Sequence, residues 1–324
     1  MKDSSARKLV VVAFGGNALA RRNEDGTQQQ QTRHAGVLAR TLVRLLKKGH
    51  DLLLVHGNGP QVGALLVQVE EASTKIPPAS LDVCVAQTEG SIGYMLETAL
   101  RNEMVAEGVD REVICLMTSV VVDPRDPALK NPTKPIGPFY TPYRAASLRR
   151  ARRWSIVEDS GRGWRKVVPS PRPLKVVNLP VLRGLMEAHH VVIAGGGGGV
   201  PVIEDASGRL RGIEAVVDKD LTAALIARDL HADLLLVLTD VDQVWLNYGR
   251  KNQKPLHRMS FKEAERYMRR GQFPPGSMGP KVQAAIEFTR STGHEVIITS
   301  LRRCVSAISG RGGTRITARV EPRA

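Results

Sequence analysis

Two segments place a lysine where a helix begins: Val217-Asp218-Lys219-Asp220 and Gly276-Ser277-Met278-Gly279-Pro280-Lys281. The N-terminal end of a helix carries partial positive charge, so a cation there is disfavoured unless an anion lies close by. Three glycine-bearing loops suggest which anion. Gly15-Gly16-Asn17, Gly57-Asn58-Gly59-Pro60 and Gly195–Gly199 each follow a short apolar run. Glycine lets the backbone turn tightly and bring its N–H groups against a ligand, and phosphate is an anion that such loops hold. Taken singly, each loop reads as a tight turn and each lysine as a solvated surface charge. Three loops at the carboxyl ends of strands in one open sheet would instead line one crevice. Lys219 follows the apolar pair Val216-Val217, Lys281 follows a Gly/Pro loop, and Asp220 can hold Lys219 in a fixed direction. Asp240 and Asp242, after a further apolar run, can contact a nucleotide or a hydrated metal, or serve as turn residues.

The elements that must position these groups alternate between strand and helix. Leu9–Phe14, Asp51–Val55, Val113–Val122, Val191–Ala194, Leu234–Leu238 and Val296–Thr299 read as strands, apolar on both faces. Between them, Thr32–Lys48 has helical periodicity through Val37, Leu38, Leu42, Leu45 and Leu46, closed by Gly49. Gln28–Gln31 before it is a polar loop or a helix start. Further helices are predicted from about Pro60, from about Asp82, over Leu221–Leu230, and from Pro280 to about Thr292. Strands covered on both faces by helices imply an α/β layered sandwich. Residues 124–175 hold many of the prolines and read as an inserted subdomain with weak attachment to the core. Val202–Ile203 and Leu210–Ile213, joined through Asp205-Ala206-Ser207-Gly208, read as a small hairpin.

Composition excludes several classes. Three cysteines with no CxxC pair argue against a disulfide framework or a structural zinc site, and no HExxH pattern occurs. No GxxxxGK[ST] is present, and Val200 falls where GxGxxG would need its last glycine, so neither a Walker-type nor a dinucleotide-binding site is indicated. Lys2, Arg7 and Lys8 precede an apolar run too short for a signal-peptide core, and no run approaches a membrane span. A cytoplasmic protein is therefore expected. The formal charge of +15 is concentrated: residues 125–175 hold 13 Lys or Arg against 3 Asp or Glu, a net of +10, leaving +5 elsewhere. This reads either as an arginine-rich surface that binds nucleic acid weakly, or as a cationic flap over a site for small anions. Trp154 and Trp164 are the tryptophans of the basic stretch, beside Phe139, Tyr140 and Tyr143, and specific nucleic-acid recognition is not expected. Arg149, Arg150, Arg152 and Arg153 are too closely spaced to converge on one ligand from a helix, and are expected to steer anions or solvate the flap.

The chain also resembles the carbamate kinases of the amino acid kinase superfamily. The resemblance rests on AFGGNAL at 13–19, HGNGPQVG at 56–63, GSIGY at 90–94, VVVDPRDPALKNPTKPIGPF at 120–139 and GRGWRKVVPSP at 161–171. It continues through GGGG at 195–198, EAVVDKD at 214–220, LTDVDQVWLNYG at 238–249 and FPPGSMGPK at 273–281. It spans nearly the whole chain, and KNPTKPIGPF and GRGWRKVVPSP distinguish carbamate kinases within the superfamily. It implies a three-layer αβα sandwich around a mainly parallel, about eight-stranded sheet, with 124–175 as a protruding, lid-like subdomain. Residues 1–212 would form the carbamate lobe and 213–324 the adenine-nucleotide lobe of a homodimer with no membrane and no specific nucleic-acid partner. The implied reaction interconverts ATP and carbamate with ADP and carbamoyl phosphate, using Mg2+ carried mainly by the nucleotide rather than by protein ligands, often to make ATP in arginine metabolism. Carried over by motif, Lys134, Lys219 and Lys281 contact phosphate and Asp220 organises them. Gly15, Gly16, Asn17, Gly57, Asn58, Gly59, Gly196 and Gly197 surround carbamate and the transferring phosphoryl group. Asp240, Val241, Tyr248, Met278 and Gly279 flank the nucleotide. Glu89 stands where a glutamine is common and Gln283 where a glutamate is common. The alternatives are a relative acting on another carboxylate or on a nucleotide, a catalytically silent nucleotide-binding regulator, and a basic nucleic-acid-binding protein.

Overall fold

A computed structural model describes residues 7–21, 24–152, 154–159 and 163–319. Lys2, Arg153 and the first two residues of the 161–171 motif lie outside them. The principal sheet has eight strands, in the spatial order Arg258–Ser260, Thr314–Thr317, Glu295–Ser300, Leu234–Thr239, Leu9–Phe14, Asp51–His56, Val191–Ala194 and Val113–Leu116. All neighbours run parallel except Glu295–Ser300 against Thr314–Thr317. The central strands sit in matched register, Phe14 opposite both His56 and Leu238, so their carboxyl ends finish level.

Alternation along each strand builds the layers. Val10, Val12 and Phe14 pack with Leu38, Leu42, Leu45, Ile92 and Leu96, on the helices Gln28–Lys47 and Leu81–Ala106. Val11 and Ala13 face the other way, onto Ala223, Ile226, Ala285 and Phe288 of the helices Lys219–Asp229 and Met278–Thr292. Each fully buried Leu or Val contributes roughly 1.5–3 kcal/mol over leaving it in water. With scarce aromatics, that aliphatic burial carries the core. The three-layer αβα sandwich is therefore the observed fold.

Several boundaries differ from the sequence reading. The first helix begins at Gln28, because Thr27 and Gln30 form a capping box ahead of Thr32. The last long helix begins at Met278, which makes Pro280 its third residue rather than its first. The run Val113–Val122 is two strands. Val113–Leu116 edges the principal sheet, while Ser119–Val122 joins a four-stranded sheet with Leu210–Gly212, Val200–Glu204 and Pro173–Val176. Thr118 makes the break: its Oγ1 donates to the Leu116 carbonyl and accepts from the Gly195 N–H. The expected hairpin forms between Val200–Glu204 and Leu210–Gly212.

Within 124–175, the strands Lys134–Tyr140, Trp164–Val168 and Ile156–Glu158 form a small sheet with the helix Pro142–Arg152. Ala145, Leu148 and Ile156 make its core, flanked by Tyr140, Trp154 and Trp164. Attachment is tighter than composition suggested. Gly63 of the helix Gly59–Ala72 meets Gly137 backbone to backbone, so close that a Cβ on Gly63 would collide with the Gly137 Cα. Lys166 pairs with Glu70 at 3.1 Å and Arg152 with Glu71 at 2.9 Å.

Candidate active site

The three glycine loops leave adjacent strand ends and interlock. Gly57 donates its N–H to the Phe14 carbonyl, and a Cβ on Gly57 would lie 2.9 Å from the Gly16 nitrogen. On the other side, a Cβ on Gly197 would collide with the Asn58 amide, and one on Gly198 with the Val217 carbonyl. Gly195 and Gly197 have φ of +63° and +69°, in the left-handed region that glycine enters without strain. Thr222 Oγ1 ties the helix Lys219–Asp229 to the Gly198 carbonyl at 2.8 Å. Asn58 Nδ2 donates to Thr88 Oγ1 at 2.9 Å, which fixes its direction. Four chain segments that are remote in sequence thus meet at one point.

The lysines converge there. Lys219 opens its helix, lies buried, and passes beside Gly57, with its Cε near Gly15. Its Nζ donates to Asp220 Oδ1 at 2.7 Å, and Lys281 Nζ reaches Asp220 Oδ2 at 3.3 Å. Lys134, from the small sheet, donates to Asp218 Oδ2 at 2.8 Å. Asp218 caps the same helix, its Oδ1 accepting from the Asp220 N–H at 2.9 Å. Three ammonium groups therefore face two carboxylates, an excess of one positive charge.

The electrostatics follow from burial and proximity. Burial alone would raise the Asp218 carboxyl, but Lys134 and Lys219 outweigh it and hold it well below the usual carboxylate range. Asp220 is likewise held down, Lys219 and Lys281 overcoming burial. Burial pushes the Lys219 ammonium down, with Lys281 adding repulsion, while the pull of Asp220 and Asp218 overcomes burial and raises Lys281. A charged, desolvated cluster of this kind can clamp an anion.

Lys134, Lys219, Lys281 and Asp220 come together with Gly15, Gly16, Gly57, Asn58, Gly59, Gly196 and Gly197. Asn17 lies in the short turn Gly16–Ala18 of the first loop. Asp240 directly follows the strand Leu234–Thr239 and its charge acts on Lys281. Met278 and Gly279 open the helix that carries Lys281, and a Cβ on Gly279 would lie 2.9 Å from the Pro274 carbonyl. The hydrogen-bond and ion-pair network among the described residues does not reach Val241 or Tyr248, and Tyr248 is largely exposed. Asp242 is a tie rather than a free ligand: it accepts from Ser300 Oγ at 2.6 Å and pairs with Arg302 at 3.1 Å. Gln283 donates to Glu287 at 2.6 Å, along its own helix.

Sequence reasoning gave no role to Asp218, whose position just before a lysine-bearing helix start is an N-cap signal. It also passed over Thr88 and Thr118, which act through folding contacts that no local pattern announces. The arginines of Pro142–Arg152 do more than solvate. Arg149 donates to the Ile156 carbonyl and lies over the Trp164 ring, and Arg152 binds the Glu70/Glu71 pair.

Residues 8–300 match the profile of the amino acid kinase family. The chain is 43% identical over 310 residues to carbamate kinase of Pyrococcus horikoshii, covering 95% of this chain and 98% of the relative. Among solved structures it is similar to carbamate kinase from Giardia lamblia bound to citric acid, with a TM-score of 0.92 and 41% identity over 96% of this chain and 99% of the other. The Giardia lamblia enzyme bound to AMP-PNP gives a TM-score of 0.87 and 42% identity over 96% and 99% of the two chains.

Proposed function

The chain belongs to the amino acid kinase family, and from that premise we infer that it is a carbamate kinase, interconverting ATP and carbamate with ADP and carbamoyl phosphate. The observation that carries this reading is the convergence of Lys134, Lys219 and Lys281 on Asp218 and Asp220 beside three glycine loops. Carbamate is already an anion, so its attacking oxygen needs no general base. The difficulty is electrostatic: one anion must approach another while charge spreads over the transferring oxygens. Lys219, between the loops, bridges donor and transferring phosphoryl oxygens. Lys281 serves the donor side and Lys134 reaches in from the small sheet. Asp218 and Asp220 aim the ammonium groups, and loop N–H groups hold the oxygens in line.

Magnesium is part of this proposal. Both aspartates of the cluster are engaged by lysines, and among the described residues no three His, Cys, Asp or Glu side chains gather to hold an ion. That donor set fits an ion that arrives on the nucleotide, where it would neutralise phosphate charge. We further place carbamate on residues 1–212, with 124–175 as a lid-like insert, and adenine nucleotide on 213–324. Val241 and Tyr248 would then meet the nucleotide itself. A cytoplasmic homodimer working toward ATP is proposed. The deciding assay couples ATP formation to ADP and carbamoyl phosphate; no ATP at saturating carbamoyl phosphate would refute the activity.

A further inference from the structure

We propose that Glu89 is a positioning residue that acts as a neutral carboxyl, holding the Gly196 loop by its backbone N–H while keeping negative charge away from the anion it cradles. Glu89 lies on the helix Leu81–Ala106 and is 1% exposed. Its Oε1 accepts from the Gly196 N–H at 2.9 Å. Its Oε2 is buried with no hydrogen bond of good geometry among the described residues, Thr118 lying close enough only for a weak one, and His56 Nε2 likewise makes no hydrogen bond of good geometry. The two side chains crowd one point: a Cβ on Gly196 would collide with the His56 ring and lie 2.7 Å from Glu89 Cγ. No cation pairs with Glu89 among the described residues. A buried carboxylate without a counter-ion is costly, whereas a protonated one loses only a hydrogen bond.

The surroundings agree from every side. Burial pushes the Glu89 carboxyl up to about 8, more than the Gly196 N–H and Thr118 can offset. From the strand Asp51–His56, His56 contributes a ring that burial pushes down to about 4, so it is uncharged at neutral pH. From Val113–Leu116, Cys115 contributes a thiol pushed up to about 12 by burial and by Glu89 itself. The helices Gln28–Lys47 and Gly59–Ala72 and the strand Val200–Glu204 also pack on this helix, and none supplies a charge that acts on Glu89. Protonated, Glu89 adds no negative charge to a site where Lys134, Lys219 and Lys281 already outnumber Asp218 and Asp220. Ionised, it sets a negative charge against the Gly196 N–H of that site.

The inference rests on the phosphate role given above to the Gly196 loop, and its test separates the two. ATP formation would be followed from pH 6 to 10 in the wild type, Glu89→Gln and Glu89→Leu. Above pH 8 the wild-type kcat/KM for carbamoyl phosphate should fall about tenfold per pH unit, as one group loses its proton. Glu89→Gln, which keeps a neutral acceptor, should move that limb upward. Lys219 titrates in both enzymes, so the difference between the profiles belongs to Glu89. At pH 7, Glu89→Leu should lose about tenfold or more of kcat, and Glu89→Gln should recover most of it. An alkaline limb shared by wild type and Glu89→Gln, or equal activity of the Leu and Gln variants, would overturn the proposal. A second readout does not need variants that fold: in wild type labelled with 13C at glutamate carboxyls, one resonance should titrate near pH 8. If all titrate below pH 6, Glu89 is an ordinary carboxylate and the inference fails. Absence of turnover at every pH would overturn the carbamate kinase reading, while the carboxyl titration would still decide Glu89.

Discussion

In the proposed mechanism a single charge at Lys219 or Lys281 decides the rate. Each faces Asp220, and the proposal sets each beside phosphoryl oxygens that gain charge as they transfer. Lys219→Ala and Lys281→Ala should each lower turnover about a hundredfold or more, the scale of losing one transition-state donor. Steady-state ATP formation by folded variants checks this, and normal turnover would remove the lysine from the mechanism. The same cluster leaves a mark on stability. Asp218 and Asp220 have folded values held below their ordinary 3.8. A depressed acid contributes stability that is present above its unfolded value and is lost as pH falls through the folded one. Stability should therefore drop below about pH 4, and Asp218→Asn, which can still cap the helix, should flatten that slope. Denaturant melts between pH 2 and 6 would show it; identical slopes would count against the pairing.

Elements act on the site through how they dock. The strand Lys134–Tyr140 delivers Lys134 only because Gly63 lets its backbone lie against Gly137. Gly63→Ala must push that strand away, at roughly 1–3 kcal/mol or more of overpacking strain. Thermal melting should show the loss, and turnover should fall with it as Lys134 leaves Asp218. An alanine tolerated without change in either would show that this contact does not set Lys134. The arginines of Pro142–Arg152 should likewise separate by role. Arg149→Gln and Arg152→Gln should raise hydrogen exchange over 134–168, since each removes a tie to the strand pair or to Glu70 and Glu71. Arg150→Gln, at an exposed position, should not.

At the scale of the whole molecule, the charge of +15, with +10 of it in 125–175, is expected to act as a field rather than as a site. Polynucleotide should bind weakly and lose affinity steeply with salt, without altering turnover once the field is screened. A mobility or anisotropy titration at two salt concentrations, run beside the ATP assay, checks this. Salt-resistant binding would instead restore a nucleic-acid role. No helix among the described residues is long and apolar enough to cross a membrane.

What the sequence determined by itself is local. Apolar runs of strand length, helical periodicity and loop glycines depend on neighbours in the chain, so the strand ends carrying Gly15, Gly57 and Gly195 could be read directly. The boundaries that slipped were those with competing signals: Thr27 capped its helix ahead of the apolar pattern, and Thr118 divided one β-branched run between two sheets. Lys219, Lys281 and Asp220 stood out at two helix starts and Lys134 by motif resemblance, and only the tertiary structure joined them. Lys134 meets Asp218 across 84 residues of chain, a contact created by sheet order and by backbone packing at Gly63. The proton on Glu89 is likewise a tertiary property. A glutamate in a helical sequence reads as charged, and only burial against His56 and Cys115, which outweighs the hydrogen bonds from Gly196 and Thr118, favours the neutral acid.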